Sequence, residues 1–269
     1  MRGGLTAAPQ QCDEEQVELA VKRGSMRSSA GRVNPIEPGV WALAALALAL
    51  ALAPRAGADS GRASTVDVVG AGTLVWGQVA VRAKPSPTAK RIAVLRQFRA
   101  DFSPQYVLAL SAEHGTKVGS PTWYRISVPG RPNGRTGWVR AGAVELWPVH
   151  KRLVVYRTER RFEFWDGDKL VRTGRVAVGK RGAETPTGLF YVTAKFDPTA
   201  PILGAYALET SAFSKLSDWP GGGVVGVHGT PWPWLLGKAV SHGCVRLHND
   251  DILFLRWRIP PGTPVKIVR

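Results

Sequence analysis

Cysteine is scarce in this chain, whose 269 residues include only Cys12 and Cys244. A framework of disulfide bonds is therefore excluded, because each bond consumes two thiols. Long apolar runs are scarce as well, and residues 40–53 form an uninterrupted run of only fourteen. A transmembrane helix usually needs roughly 17–25 apolar residues, whereas about 7–15 suffice for the core of a signal peptide.

The apolar run is typical of a signal peptide. It ends near Ala56-Gly57-Ala58, which has the small-residue form of a signal peptidase site, and Met26-Arg27 supplies a positively charged start. We predict that residues 1–58 are a signal peptide with a spurious N-terminal extension, and that translation starts at Met26. An uncleaved, short membrane anchor is the alternative. Both interpretations place the remainder outside the cytoplasm, in the periplasm or the cell wall.

Acidic residues are outnumbered, since 20 Asp and Glu face 36 Lys and Arg, which gives a formal net charge of +16. Without residues 1–58 the chain keeps 30 basic and 15 acidic residues. In the cytoplasm such a charge would suggest nucleic acid, but outside it an anionic cell-wall polymer or membrane face is favoured. We predict no nucleic-acid partner, and contact with a membrane only through an uncleaved leader.

Thirty glycines, twenty prolines and ten tryptophans favour short strands joined by turns over a helical bundle. We expect an all-β chain in the main, with a linker at 59–72 followed by a small barrel at 73–147. The predicted strands of this barrel are Leu74–Trp76, Val79–Arg82, Ile92–Leu95, Val107–Leu110, Trp123–Val128 and Gly137–Arg140.

A second, mostly β domain is predicted over residues 150–269. Its strands are expected at Leu153–Tyr156, Phe162–Trp165, Val171–Val178 and Gly262–Val268. A loop rich in small residues is expected over Asp197–Gly223. Asn249 is expected to cap a short helix that runs to about Arg258, with Asp250 and Asp251 in its first turn.

The chemistry concentrates in His228-Gly229-Thr230 and in the run Ser241 to Asn249, which reads Ser-His-Gly-Cys-Val-Arg-Leu-His-Asn. A free thiol has a pKa of about 8.5, so Cys244 needs a base to become a nucleophile at neutral pH. His242 shares a face with Cys244 in an extended chain, whereas His228 would have to arrive on a neighbouring strand. Backbone N–H groups at Gly243 and its neighbours could hold an oxyanion.

Three other interpretations of this cluster are open. Cys244 could be an inert buried thiol. A zinc site could form from His228, His242, Cys244 and His248, although these side chains would not obviously converge. A wall-binding protein, or a cysteine peptidase acting on peptidoglycan, is the alternative function. Peptidases of the NlpC/P60 kind place the cysteine well before the base, and only 25 residues follow Cys244.

Two families resemble this chain. The order of three segments, Val81 to Pro87, Trp123 to Ile126 and Arg135 to Val139, resembles the bacterial SH3-like domain that accompanies many wall enzymes. His-Gly-Thr followed by the cysteine sixteen positions after the histidine resembles the L,D-transpeptidases with a YkuD-type catalytic domain, and that match covers about 150–268. The resemblance implies a β-sandwich catalytic domain and no metal or other cofactor.

The second resemblance also implies roles for single residues. Cys244 would be the nucleophile, His228 the general base, and Gly229 the residue whose carbonyl orients that base. Ser241, His242 and Gly243 would shape the site and its oxyanion pocket. We predict substrate binding at Arg246, Tyr206 and Trp232.

The implied reaction is acyl transfer on peptidoglycan stem peptides. The thiolate would attack the carbonyl of the third residue of a donor tetrapeptide and expel the terminal D-alanine. The acceptor of the thioester would be a diaminopimelate side chain, a lysine of a wall-anchored protein, or a free D-amino acid.

Overall fold

A computed structural model describes residues 65–115, 121–216, 218 and 220–269 of the chain. The predicted signal peptide, its start and Cys12 lie outside the described residues, as does Trp219. The fold is mainly β, as predicted, and the strands of both sheets belong to one compact unit. No helix among the described residues is long and apolar enough to cross a membrane.

Seven antiparallel strands form the N-terminal sheet, in the order β3-β2-β6-β5-β4-β1-β7. Alternation of buried and exposed positions along these strands gives the sheet an apolar face that includes Val81, Val107 and Ile126. The strands are β1 Gly70–Leu74, β2 Gln78–Arg82, β3 Arg91–Arg96, β4 Tyr106–His114, β5 Pro121–Ser127, β6 Thr136–Arg140 and β7 Val144–Trp147.

The predicted bounds of the first strand of this sheet were wrong at both ends. Strand β1 starts at Gly70, inside the predicted linker, and it ends at Leu74 instead of continuing to Trp76. The apolar side chains of Val75 and Trp76 misled the prediction, because 43% and 47% of their surface is exposed. Close approach explains the early start: a Cβ on Gly72 would lie 1.8 Å from the carbonyl oxygen of Glu145 on β7.

Eight strands form the C-terminal sheet, in the order β10-β9-β8-β17-β12-β13-β14-β16. Strand β17 runs parallel to β8 and β14 runs parallel to β16, whereas the other neighbours are antiparallel. These strands are β8 Lys151–Tyr156, β9 Arg161–Asp166, β10 Lys169–Arg175, β12 Gly188–Phe196, β13 Ala207–Phe213, β14 Val224–His228, β16 Val245–Arg246 and β17 Pro264–Val268. Two short strands, β11 Val178–Gly179 and β15 Ala239–Ser241, form a separate parallel pair.

The predicted loop over Asp197–Gly223 was wrong in its middle, where β13 lies between β12 and β14. This strand reads Ala-Leu-Glu-Thr-Ser-Ala-Phe, and its polar residues hid it from a search for apolar runs. The buried Thr210 shows why the strand is stable, since its hydroxyl donates a 2.6 Å hydrogen bond to the carbonyl of Val225.

Helix α1 spans Asn249–Arg256, two residues shorter than predicted. The predicted cap was also wrong. His248 is the N-cap, and its Nδ1 accepts a 3.2 Å hydrogen bond from the backbone N–H of Asp250. Ile252 and Leu255 bury the inner face of the helix in the C-terminal core.

The two sheets contact each other through a small apolar cluster. Ala71 and Leu108 of the N-terminal sheet lie in one cluster with Tyr191 of β12. The hydroxyl of Tyr191 donates a 3.1 Å hydrogen bond to the carbonyl of Tyr106. Arg99 adds an ion pair to Glu209 of β13, with 2.7 Å between Nη2 and Oε1. The N-terminal sheet therefore contacts the pair of strands that leads toward β14.

Candidate active site

Parallel pairing of β14 with β16 brings His228 and Cys244 together. The register pairs Val227 with Val245 and His228 with Arg246, so Cys244 lies level with Gly226. The backbone N–H of Gly226 donates a 3.3 Å hydrogen bond to Sγ of Cys244. A Cβ on Gly226 would lie 3.6 Å from Cδ2 of His228 and 3.9 Å from that sulfur. Because Gly226 has no side chain, the space beside its Cα is open, and the imidazole of His228 and the thiol of Cys244 both border that space.

His228 is held in one orientation by its neighbour. Its Nδ1 lies 2.7 Å from the carbonyl oxygen of Gly229, and that oxygen can only accept a hydrogen bond. Nδ1 therefore carries the proton, and Nε2 is the nitrogen that can accept one. Burial is the main cause that lowers the pKa of His228 to about 4, and the positive charge of Arg246 lowers it further. The imidazole is neutral at pH 7 and can accept a proton.

The thiol of Cys244 is free and partly exposed. Burial raises its pKa, while the hydrogen bond from Gly226 and the charge of Arg246 act in the opposite direction. A thiol that is protonated at rest needs a base at the moment of attack. A neutral imidazole beside a neutral thiol is the arrangement that general-base activation requires.

A turn at Gly243 presents the thiol. Gly243 has φ of +125°, a conformation that residues with a side chain rarely adopt, and a Cβ there would lie 2.7 Å from Cβ of Ser214. The hydroxyl of Ser241 donates a 2.6 Å hydrogen bond to the carbonyl of Cys244 and accepts one of 3.2 Å from the N–H of Gly243. Ser241 and Gly243 thus shape the backbone on which the thiol lies.

His242 occupies a different position from the one that an extended chain would give it. Strand β15 ends at Ser241, and the left-handed Gly243 then turns the chain before Cys244. The expectation that His242 and Cys244 share the face of one strand was therefore wrong. Desolvation and the charges of Lys180 and Arg246 lower the pKa of the half-buried His242.

Sequence reasoning missed the role of Asn249. Its Oδ1 accepts hydrogen bonds from the backbone N–H groups of Ala205, at 3.0 Å, and of Thr230, at 3.1 Å. A Cβ on Gly229 would lie 2.2 Å from the same oxygen, so Asn249 packs directly against the residue that orients His228. Its place at the end of the cysteine motif was the only signal, and that signal was assigned to helix capping.

The predicted substrate-binding residues lie in different environments. The guanidinium of the buried Arg246 lies 5.8 Å from the ring centre of the half-buried Trp232. Tyr206 is only 4% exposed, and its carbonyl accepts a 3.0 Å hydrogen bond from the N–H of Gly229. The roles of all three in binding substrate stay predictions. In the described part of the chain, no three His, Cys, Asp or Glu side chains form a group that could hold a metal ion.

A cavity of about 960 Å³ lies where the β5–β6 loop of the N-terminal sheet meets the C-terminal domain. Ser214 belongs to its wall and also packs against Gly243, so the cavity adjoins the turn that carries the nucleophile. Three cationic residues and one carboxylate are among its lining residues, namely Arg131, Arg157, Lys215 and Glu184.

Comparison with known proteins identifies the family of the chain. The family model of the YkuD L,D-transpeptidase catalytic domain matches residues 150–267. A Bacillus licheniformis protein assigned as the L,D-transpeptidase YkuD is 32% identical over 185 residues, which cover 68% of this chain and 95% of the relative. The corresponding Bacillus subtilis protein is 32% identical over 176 residues, with 65% and 93% covered. An L,D-transpeptidase from Mycobacterium smegmatis aligns at 18% identity with a TM-score of 0.38, over 55% of this chain and 90% of that one.

His228 is the last residue of β14 and Cys244 directly precedes β16, and a neutral imidazole near a thiol is an arrangement that can support a cysteine nucleophile. The chain belongs to the L,D-transpeptidases with a YkuD catalytic domain. It is a peptidoglycan L,D-transpeptidase.

Proposed function

We propose that Cys244 is the nucleophile and His228 the general base of an acyl transfer between peptidoglycan stem peptides. Nε2 of His228 takes the proton of Sγ as the sulfur attacks the carbonyl carbon of the third residue of a donor tetrapeptide. The tetrahedral intermediate collapses, the peptide C–N bond breaks, and the imidazolium gives its proton to the amine of the departing D-alanine. An acceptor amine then attacks the thioester, His228 takes a proton from that amine, and the thiol is regenerated.

One observation carries this assignment. His228 and Cys244 both lie within 4 Å of the point that a Cβ on Gly226 would occupy, and Gly229 turns the protonated side of the imidazole away from that point. His242 is two residues from the cysteine in sequence, but the chain turns at Gly243 between them. The carbonyl of Gly229 orients the base, which is the role that a carboxylate has in other triads.

The oxyanion is assigned to the backbone of the Gly243 turn. A left-handed glycine next to the nucleophile lets backbone N–H groups approach the reacting carbonyl without a side chain in the way. The hydroxyl of Ser241 binds both sides of this turn, at Gly243 and at Cys244, and so holds it in advance of reaction. Preorganised donors of this kind stabilise the charge that develops on the carbonyl oxygen.

Substrate recognition is assigned to Arg246, Trp232 and the neighbouring cavity. The forked guanidinium of Arg246 suits a carboxylate of the stem peptide, and the aromatic ring of Trp232 lies beside it. Arg131, Arg157 and Lys215 add positive charge to the cavity wall, which favours an acidic substrate. Tyr206 would support this region indirectly, because its carbonyl accepts a hydrogen bond from the N–H of Gly229.

We also propose the domain organisation that accompanies this activity. Residues 70–147 form an SH3-like domain, for which the short antiparallel strands of the N-terminal sheet provide support, and residues 150–269 form the catalytic domain. Residues 1–58 direct export, so the enzyme works in the periplasm or the cell wall. A lysine of a wall-anchored protein is one possible acceptor amine, beside a second stem peptide or a D-amino acid.

Release of D-alanine from a purified stem tetrapeptide tests the mechanism. The protein should release D-alanine and, with an acceptor amine present, form a cross-linked product in place of free tripeptide. Cys244→Ala should abolish both, and Arg125→Ala, a substitution within the N-terminal sheet where Arg125 binds Thr136, is the control. D-alanine release that persists in Cys244→Ala would refute the mechanism. Intact mass of the protein after incubation with a carbapenem gives a second measure of acylation at the same thiol.

A further inference from the structure

The β5–β6 loop of the N-terminal sheet reaches across to the segment that precedes the active-site strand β14. Arg131 donates three hydrogen bonds to backbone carbonyls of that segment: to Ser214 at 2.8 Å, Leu216 at 3.0 Å and Gly222 at 2.9 Å. Its guanidinium also lies 5.0 Å from the ring centre of Phe213. A forked cation that satisfies three carbonyls restricts the segment far more than one hydrogen bond could.

Asn133 of the same loop binds the backbone of Phe213 in both directions. Its Nδ2 donates a 2.7 Å hydrogen bond to the Phe213 carbonyl, and its Oδ1 accepts one of 2.9 Å from the Phe213 N–H. An asparagine that pairs with a backbone in this way continues the hydrogen bonding of strand β13 beyond its end. Five hydrogen bonds thus run from two side chains of the N-terminal sheet to the C-terminal domain.

These contacts hold both ends of the segment together. Ser214 and Leu216 lie at its start and Gly222 at its finish, and the N–H of Ser214 donates a 2.8 Å hydrogen bond to the carbonyl of Gly223. Gly223 has φ of +76°, and a Cβ there would lie 2.6 Å from Nη2 of Arg131. The guanidinium therefore occupies space that only glycine leaves open.

Both ends also touch the turn that carries the nucleophile. The position of a Cβ on Gly243 is 2.7 Å from Cβ of Ser214 and 3.7 Å from Cγ2 of Val225. One residue beyond Val225, the N–H of Gly226 donates its hydrogen bond to Sγ of Cys244. Arg131 is thus connected to the thiol through one short stretch of packed backbone.

We propose that the N-terminal sheet is a working part of the active site, in which Arg131 and Asn133 are positioning residues for the Gly226 N–H and the Gly243 turn around Cys244. The β5–β6 loop of this sheet then sets the reactivity of the thiol. This inference rests on the proposed function only in taking Cys244 as the nucleophile.

The test measures the rate of alkylation of Cys244 by iodoacetamide, a reagent small enough to need no binding site, between pH 6 and 10 in the full chain with Cys12→Ala. Arg131→Ala should alkylate roughly two- to tenfold more slowly at pH 7, with a difference that narrows toward pH 10, because the thiolate loses support from the Gly226 N–H. Arg131→Lys should recover part of the rate. Arg125→Ala is the matched control, since Arg125 binds only Thr136 within its own sheet.

A purely structural role makes the opposite prediction, since a loosened protein exposes the thiol and alkylates faster at every pH. That result, or an unchanged profile in Arg131→Ala, overturns the proposal. If Arg131→Ala does not fold, Asn133→Ala takes its place, with the same expected direction. The rate of acylation by tetrapeptide should fall in parallel, by roughly tenfold or more, because small displacements of catalytic groups are costly. The alkylation profile does not depend on D-alanine release, so failure of the proposed function and failure of this inference give separate results.

Discussion

The carbonyl oxygen of Gly229 lies 2.7 Å from Nδ1 of His228, and this single contact decides which imidazole nitrogen faces the thiol. A carbonyl carries no charge, so it orients the imidazole without the strong stabilisation of the imidazolium that a carboxylate provides. Burial then keeps the pKa of His228 low, at about 4. The consequences of this arrangement can be tested one at a time.

Replacement of the two candidate bases should give different results. His228→Ala should lower the rate of acylation at pH 7 roughly a hundredfold or more, which is the usual contribution of a general base. His242→Ala should lower it only weakly, because the turn at Gly243 separates His242 from the thiol. The measurement is the rate of D-alanine release for each variant. Equal losses in both variants would contradict the assignment of the base.

The acid limb of the pH–rate profile should lie well below the ordinary histidine value of about 6.5. Burial lowers the pKa of His228 to about 4, so the base stays neutral and competent down to that pH. We expect kcat/KM for the tetrapeptide to hold between pH 5 and 7 and to fall near pH 4. A fall centred at pH 6.5 would show that the base is an ordinary, solvated imidazole.

Stability should depend on pH through the same residue. Between pH 6.5 and 4 the unfolded chain binds a proton on this imidazole while the folded protein does not, so stability falls as the pH falls through this window. The expected loss at pH 4 is about 3 kcal/mol relative to pH 7, from a pKa lowered to about 4. Urea unfolding of the wild type and of His228→Gln at both pH values isolates this contribution. The variant should lose less stability on acidification, and an equal loss would contradict the prediction.

Removal of the Asn249 side chain should lower both the stability of the protein and the rate of acylation. Asn249→Ala leaves the N–H groups of Ala205 and Thr230 without their acceptor, which should cost roughly 2 kcal/mol or more in the free energy of unfolding. The rate of acylation should fall as well, because Gly229 packs on this side chain. Asn249→Asp keeps the acceptor oxygen and serves as the control. Urea unfolding and D-alanine release should both rank it between the wild type and Asn249→Ala.

The candidate catalytic residues could be predicted because residue type and short sequence spacing are enough to identify the motifs that contain them. Cys244, His228 and Gly229 lie in two short motifs, and the structure places all three together. Strands β2 and β9 were predicted almost to the residue, because buried positions alternate along β2 and β9 carries the aromatic residues Phe162, Phe164 and Trp165. Strand β13 was missed because its buried positions carry Thr210 and Ser211, whose hydroxyls find hydrogen-bond partners only in the folded sheet.

Other relationships depend on residues far apart in the chain. Local spacing places His242 two residues from the thiol, whereas the parallel register of β14 and β16 brings His228 near it from a distant part of the chain. Asn249 looked like a helix cap until the fold placed its oxygen between two distant backbone N–H groups. No pattern within the sequence connects Arg131 with Ser214, because that contact spans 83 positions and exists only when the two sheets pack.

The composition and local periodicity of the sequence predicted the prevalence of strands, and two short motifs carried the resemblance that predicts the reaction class and the nucleophile. Packing decided which parts of the chain meet: the register of β14 and β16 brings His228 near Cys244, Asn249 packs on Gly229, and the N-terminal sheet reaches the turn at Gly243. The physical reason is that hydrogen bonds and burial act over a few ångströms in space, whatever the distance along the chain.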